Sequence, residues 1–326
     1  MQQYFQITGS DRYLPSHCIT ASDLDQRLNL KTGWTAKQTG VLRRYQASES
    51  ENGTTMAREV ITGALANAGR TLADIDLIVD ASLTVQQPIP CNAALIQEAL
   101  GPEAAGIPAI DIHSSCLGFL AALQMINGAF AAQSARRAII VCAETPLRGV
   151  NWNEPESACL MGDGAVAVII EAVEPINHFA LKIQTFAEGA HLCECQGGGH
   201  RLPPYAYRAD QKHLYQFHMD GKAVHKMASR KLPALVESVL RDAGCTLDAL
   251  DVIPHQASGP AIEFIARRLG IASEKLHATI SDHGNLIAAG MPFVLHDVRH
   301  RRPNGTRVML LGTAAGYSQG VAVFSL

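Results

Sequence analysis

Three stretches of this 326-residue chain carry side chains that could do covalent chemistry. In IPAIDIHSSCLGFLAALQMINGAF, residues 107–130, an apolar run from Ile107 to Ile112 reads as a buried strand. It is followed at once by Cys116 and an Ala- and Leu-rich helix, Leu117 to Phe130. Ser114 and Ser115 are good helix N-caps. A thiol in the first helical turn sits at the positive end of the helix dipole, which favours the reactive thiolate, and free N–H groups there can hold an oxyanion. In DVIPHQASG, residues 251–259, His255 follows a buried strand and stands at its C-terminal mouth, where α/β folds gather ligands. In SDHGNLIAAGMP, residues 281–292, Gly284 permits a tight turn and Asn285 opens a helix of small residues. A fourth stretch, GTAAGYSQG at 312–320, is a small-residue turn whose backbone N–H groups can approach a ligand closely.

The elements that position these residues occur twice. LANAGRTLADIDLI, residues 65–78, matches LRDAGCTLDALDVI, residues 240–253, at a constant offset of 175. Each reads as a helix end, a Gly cap and a buried strand. Downstream, the strands starting at Arg137 and Gly164 recur as those starting at Arg307 and Gly320. The chain therefore reads as a duplicated α/β unit, residues 1–174 and 175–326, with sheets covered by helices. The first copy has no His where the second has His255, so one half carries a titratable group that the other lacks. Residues 193–208, CECQGGGHRLPPYAYR, break the pattern and read as a long surface loop forming an active-site wall. Cys193, Cys195, His191 and His200 lack the second pair that a four-ligand metal set needs, so no metal is expected.

Composition narrows the classes. Hydrophobic residues make up 47% and charged residues 17%, enough for a large core. With 27 basic and 30 acidic residues, the chain lacks the basic excess of a nucleic-acid binder. No apolar run approaches the roughly 18 residues of a membrane span, and the first residues lack a secretory signal pattern. Eight cysteines in such a chain read as free thiols of a cytoplasmic protein.

Cys, His and Asn in this order resemble the thiolase superfamily, specifically its β-ketoacyl-(acyl carrier protein) synthase III branch. The similarity runs nearly end to end through GWTAKQTGV (33–41), the Cys116 helix, MGDGAVAVI (161–169), FHMDGKAVHK (217–226), PHQAS, DHGN and the terminal glycine turn. The resemblance implies the five-layered αβαβα thiolase fold. It implies Cys116 as the acylated nucleophile, with His255 and Asn285 promoting decarboxylation of a malonyl thioester and steadying the enolate. The backbone N–H groups of Cys116 and Ala315 would form the oxyanion hole. It implies no cofactor beyond the phosphopantetheine of acyl carrier protein or CoA on which the substrates ride. It also implies an acyl carrier protein partner, acyl and malonyl thioester substrates, and a homodimer.

Departures from the family pattern refine these expectations. Ser258 stands where housekeeping members have Asn, and Pro260 where they have Arg. Gln38, after Trp34, replaces a CoA-binding Arg, and Glu156 and Ser157 occupy the place of another. Fewer cations at a phosphate site favour delivery by acyl carrier protein. Ile89 stands where acetyl-selective members have Phe, and Thr313 replaces an aromatic, so Trp34, Ile89, Ser258 and Thr313 are expected to line the substrate path, with a primer longer than acetyl. Lys226, Arg267 and Arg268 belong to a basic cluster expected to dock the acidic carrier. The terminal turn has no second Cys, which disfavours a degradative thiolase. Acyl transfer to an alcohol or amine, without carbon–carbon bond formation, stays open beside condensation.

Overall fold

The computed structural model describes residues 2–326. The strands, in chain order, are β1 (Gln3–Tyr13), β2 (His17–Thr20), β3 (Arg43–Gln46), β4 (Leu77–Asp80), β5 (Ala109–Asp111), β6 (Arg137–Glu144), β7 (Gly164–Ile176), β8 (Ala180–Thr185), β9 (Cys193–Glu194), β10 (His218–Met219), β11 (Asp251–Pro254), β12 (Arg307–Ala314) and β13 (Ser318–Ser325). The helices are α1 (Ala21–Arg27), α2 (Trp34–Thr39), α3 (Gly53–Ala68), α4 (Asn92–Leu100), α5 (Gly118–Ala131), α6 (Pro155–Ala158), α7 (Gly221–Ala243), α8 (Gly259–Leu269), α9 (Ile280–His283) and α10 (Gly290–Arg301).

Two sheets dominate, ordered β1-β7-β6-β4-β5 and β8-β13-β12-β11. In each, a parallel pair (β4 with β6, β11 with β12) is followed by two antiparallel pairings. The sequence repeat lies at matching places: α3 ends at Gly69 and α7 at Gly244, with φ of 63° and 59°, and β4 and β11 follow. Such positive φ values suit glycine, which has no Cβ to clash.

Alternation along the strands builds the layers. Ile139, Val141, Ala165 and Ala167 face α3, whose Val60, Ile61 and Ala64 are buried against them. Ile140, Cys142, Val166 and Val168 face the other way, into a cluster shared with α5, α10 and the inner faces of β12 and β13. Met309, Leu311, Val321 and Val323 point outward to Leu235, Val236 and Val239 of α7 and Ile265 of α8. The result is helix, sheet, helix, sheet, helix, as expected for the duplicated thiolase-type fold.

One strand differs from expectation. The apolar run at 107–112 forms only the short β5, an edge strand paired with β4 alone, with Ile110 and Asp111 exposed. Its apolar residues lie at the sheet margin because strand order, which no local pattern encodes, puts them there. The 193–208 loop contributes β9, which pairs with β10, followed by short 3-10 turns.

Candidate active site

Cys116 occupies a 3-10 turn, Ser115–Leu117, between β5 and α5. Neither serine caps α5 through its side chain, contrary to the expectation from their types. The turn is made by the backbone: Ser115 has a φ of 47°, a left-handed conformation that non-glycine residues seldom adopt. Gly118, next in line, lies so close to the Ala81 carbonyl that no Cβ fits. The turn packs on β12, on β13 and on a second 3-10 turn, Ile287–Ala289.

These neighbours bring the other candidates in. The backbone N–H groups of Ala315, just past β12, and of Cys116 itself both act to lower the Cys116 thiol. Cys116 keeps a little accessible surface, yet its thiol is enclosed by protein, and burial pushes it up to about 12. The two N–H groups act in the opposite sense but are outweighed. The helix N-terminus thus does not lower the thiol as expected, because desolvation is the larger effect.

His255 follows β11, and its N–H donates to the Leu311 carbonyl at 2.7 Å. Burial alone lowers its imidazole to about 4, so it is neutral at physiological pH. Its Nδ1 is buried without a partner among the described residues. Gly312 of β12 packs on it. The site predicts that Gly312→Ala, whose Cβ would stand 2.5 Å from the His255 Cβ, displaces the ring. The expected result is a fall in condensation of about 10²-fold, the scale of a 1 Å misplacement, while acylation of Cys116 still proceeds; steady-state rates and intact-protein mass check both.

Asn285 is held on both sides. Its Oδ1 accepts the Ile287 N–H at 2.8 Å and its Nδ2 reaches the Ala257 carbonyl at 3.4 Å. Its backbone N–H donates to the Leu160 carbonyl at 2.9 Å, and its carbonyl accepts the Gly162 N–H at 3.1 Å. The amide is therefore fixed beside the segment that follows His255, with one Nδ2 hydrogen poorly used.

A cavity of about 480 Å³ leads to this region. Exposed Gln38, Glu156, Lys222, His225 and Pro260 surround its open end, and buried Pro254, His255, Leu311 and Gly312 close its inner end. Ser258 and Thr313 are on its wall. Ser258 also caps α8, accepting the Ala261 N–H at 3.2 Å. Neither Cys116 nor Asn285 is on the wall; Thr313 of β12 lines it two residues before Ala315. Trp34 is not on the wall either, packing instead with Leu28, Leu30 and Trp152. Ile89 is 83% exposed, away from the cavity within one chain. Lys226, Arg267 and Arg268 are exposed on α7 and α8, which pack together. Sequence reasoning missed Phe264, whose ring packs tilted against His225 with centroids 4.2 Å apart in the cavity wall, and Glu144, a carboxylate that ends the apolar run 138–143.

The sequence pattern of 3-oxoacyl-(acyl carrier protein) synthase III matches residues 110–189, and that of its C-terminal part matches residues 240–326. The β-ketoacyl-(acyl carrier protein) synthase III of Neisseria gonorrhoeae is 32% identical over 328 aligned residues, covering 98% of this chain and 99% of that protein. The chain belongs to the β-ketoacyl-(acyl carrier protein) synthase III family. It is accordingly a ketosynthase of the acyltransferase class. Its fold agrees with the synthase III of Aquifex aeolicus, with a TM-score of 0.88 at 27% identity and full coverage of both chains. The priming β-ketosynthase of the R1128 polyketide pathway shares the fold, with a TM-score of 0.91 at 22% identity over 100% of this chain and 97% of that one.

Proposed function

We propose that this ketosynthase transfers an acyl group from a carrier thioester to Cys116 and then condenses it with a malonyl thioester. The observation that carries the reading is the packing of the Cys116 turn on β12 and on the 287–289 turn, which sets the thiol beside the strand that leads to Ala315. Attack of the Cys116 sulfur on the acyl carbonyl forms the new C–S bond, and the carrier thiol leaves with the proton. Burial disfavours both a free Cys116 thiolate and a protonated His255, so the proton leaves as the C–S bond forms, and the N–H pair carries the developing charge.

In the second half, the malonyl thioester loses carbon dioxide, and the electron pair passes to the thioester oxygen as an enolate. His255 Nε2–H and the Asn285 amide donate to that oxygen. The enolate carbon attacks the acyl carbonyl on Cys116. Collapse of the tetrahedral oxyanion releases the Cys116 sulfur and the β-ketoacyl thioester.

Acyl carrier protein is the proposed carrier. Glu156, Gln38 and Pro260 at the mouth offer a nucleotide diphosphate no cation and Glu156 repels it, which leaves Lys222 as the one Lys or Arg among the described lining residues. Lys226, Arg267 and Arg268 offer an acidic carrier an exposed basic face. Reversing these three charges is expected to raise KM for malonyl-carrier protein about 10-fold and to flatten its salt dependence, with kcat for small pantetheine thioesters unchanged. Unchanged carrier kinetics would dismiss the docking role.

The small Thr313 on the wall supports a primer longer than acetyl, in fatty-acid or specialised metabolism. Incubation with acyl-carrier donors of increasing chain length, read as mass added to Cys116, tests this; self-acylation by acetyl alone contradicts it. A homodimer is proposed: the edge strand β5 and the exposed Ile110, Ile89 and Val85 suit pairing with a second copy. The two halves divide near residue 174, although β7 runs on to Ile176. Exposed Cys18, Cys91 and Cys195 suit the reducing cytoplasm, and no helix among the described residues is long and apolar enough to cross a membrane.

A further inference from the structure

Behind the Cys116 turn lies a buried carboxylate that the chemistry above does not use. Glu144 ends β6 and has no exposed surface. Its Oε1 accepts the Leu83 N–H at 2.8 Å, and its Oε2 accepts the Thr84 N–H at 3.0 Å and the Thr84 hydroxyl at 2.6 Å. Neighbouring bonds complete the clamp. The Ala143 N–H donates to Ser82 Oγ and the Thr145 N–H to Thr84 Oγ1, both at 2.8 Å. From β4, Asp80 accepts the Ser82 N–H at 3.1 Å. Residues 81–84 are thus held from both strand ends, and the Ala81 carbonyl is the surface on which Gly118 rests, two residues after Cys116. β6 also packs on the 287–289 turn that supports the Cys116 turn.

Charge follows the same path. The titratable groups facing Glu144 are Asp80 from β4, Cys142 from its own strand and Cys116 from the turn, and Cys116 also faces Cys193 of β9. Burial raises Glu144 to about 7, against the pull of its donors. After burial, the Glu144 charge is the largest influence holding the Cys116 thiol up.

We propose that Glu144 is a positioning residue for the acyl-accepting thiol: its carboxylate fixes the 81–84 segment on which the Cys116 turn rests, and its charge stands behind the sulfur. This rests on Cys116 being the acylated nucleophile. Two groups so coupled titrate together, and that coupling is measurable.

The test is alkylation of the full chain by iodoacetamide between pH 6 and 9, read on the Cys116 peptide by mass spectrometry. The sulfur displaces iodide and its proton goes to buffer. An isolated high-pKa thiol would react about 10-fold faster per pH unit. His255, held at about 4, stays neutral throughout. The wild type is expected to climb less than 10-fold per unit around pH 7, as Glu144 ionises and opposes the thiolate. Glu144→Gln should restore the full slope and lower condensation kcat about 10-fold or more, with KM for malonyl-carrier protein within 2-fold. A straight wild-type profile, identical slopes in both proteins, or an unchanged kcat overturns the proposal. Should the variant fail to fold, the wild-type profile alone decides. An acyl adduct on wild-type Cys116 in the same preparation shows that only this inference has failed; its absence shows that the underlying reading has.

Discussion

Cys116→Ala is expected to abolish condensation, with a loss on the order of 10³-fold or more, while leaving malonyl decarboxylation in place. Removing a nucleophile eliminates the covalent route outright, and the groups that remain recover little of its effect. The Cys116 sulfur is not needed for the loss of carbon dioxide, which the His255 and Asn285 donors assist. The variant should therefore release carbon dioxide from malonyl-carrier protein and form no β-ketoacyl product. Its folded core should be little disturbed, because Cys116 lies at the margin of the apolar cluster. Radiolabelled malonyl-carrier protein, with product and carbon dioxide counted separately, gives both readings. Condensation that persists in this variant would place the acyl group elsewhere.

The reverse pattern is expected of the donor pair. His255→Ala or Asn285→Ala should lower decarboxylation by about 10²- to 10³-fold, the scale for removing one oxyanion donor from an enclosed site, while Cys116 still becomes acylated. The pH dependence has a definite sign. Burial holds His255 near 4, so it is a neutral donor above that value, and decarboxylation should be flat in this group from about pH 5.5 to 8. Stability behaves differently. An unfolded histidine takes up a proton below about 6.5, and folded His255 and His296 resist protonation down to about 4. The unfolded state thus binds more protons in that window, and the fold loses stability as pH falls through it. Thermal melting between pH 7 and pH 4 should show the decline, with a smaller loss in His255→Ala.

The sequence carried the architecture because duplication makes it redundant. Two copies of a helix end, a glycine cap and a strand, 175 residues apart, are hard to produce by chance, and α3–β4 and α7–β11 occupy equivalent places. The Cys, His and Asn candidates could be named because each follows a strand or turn end. What eluded local reading depended on distant partners. The apolar pattern at 107–112 cannot say that β5 lies at a sheet edge. Ser114 and Ser115 have capping side chains, but the Cys116 turn is set by Ser115 backbone geometry and by the seat that Ala81 offers Gly118. The thiol's ionisation reversed the dipole expectation because burial and Glu144 belong to the tertiary structure. Trp34 was expected on the substrate path from its motif, yet in one chain it packs into a small cluster with Trp152.

In the proposed reaction an acyl group rides on Cys116. The most direct measurement is the mass of the protein, and then of its Cys116 peptide, after brief incubation with an acyl-carrier thioester and no malonyl substrate. One acyl mass per chain is expected, on Cys116, discharged when malonyl-carrier protein is added. An unmodified Cys116 peptide, or an acyl group on another residue that turns over with malonyl-carrier protein, would contradict it.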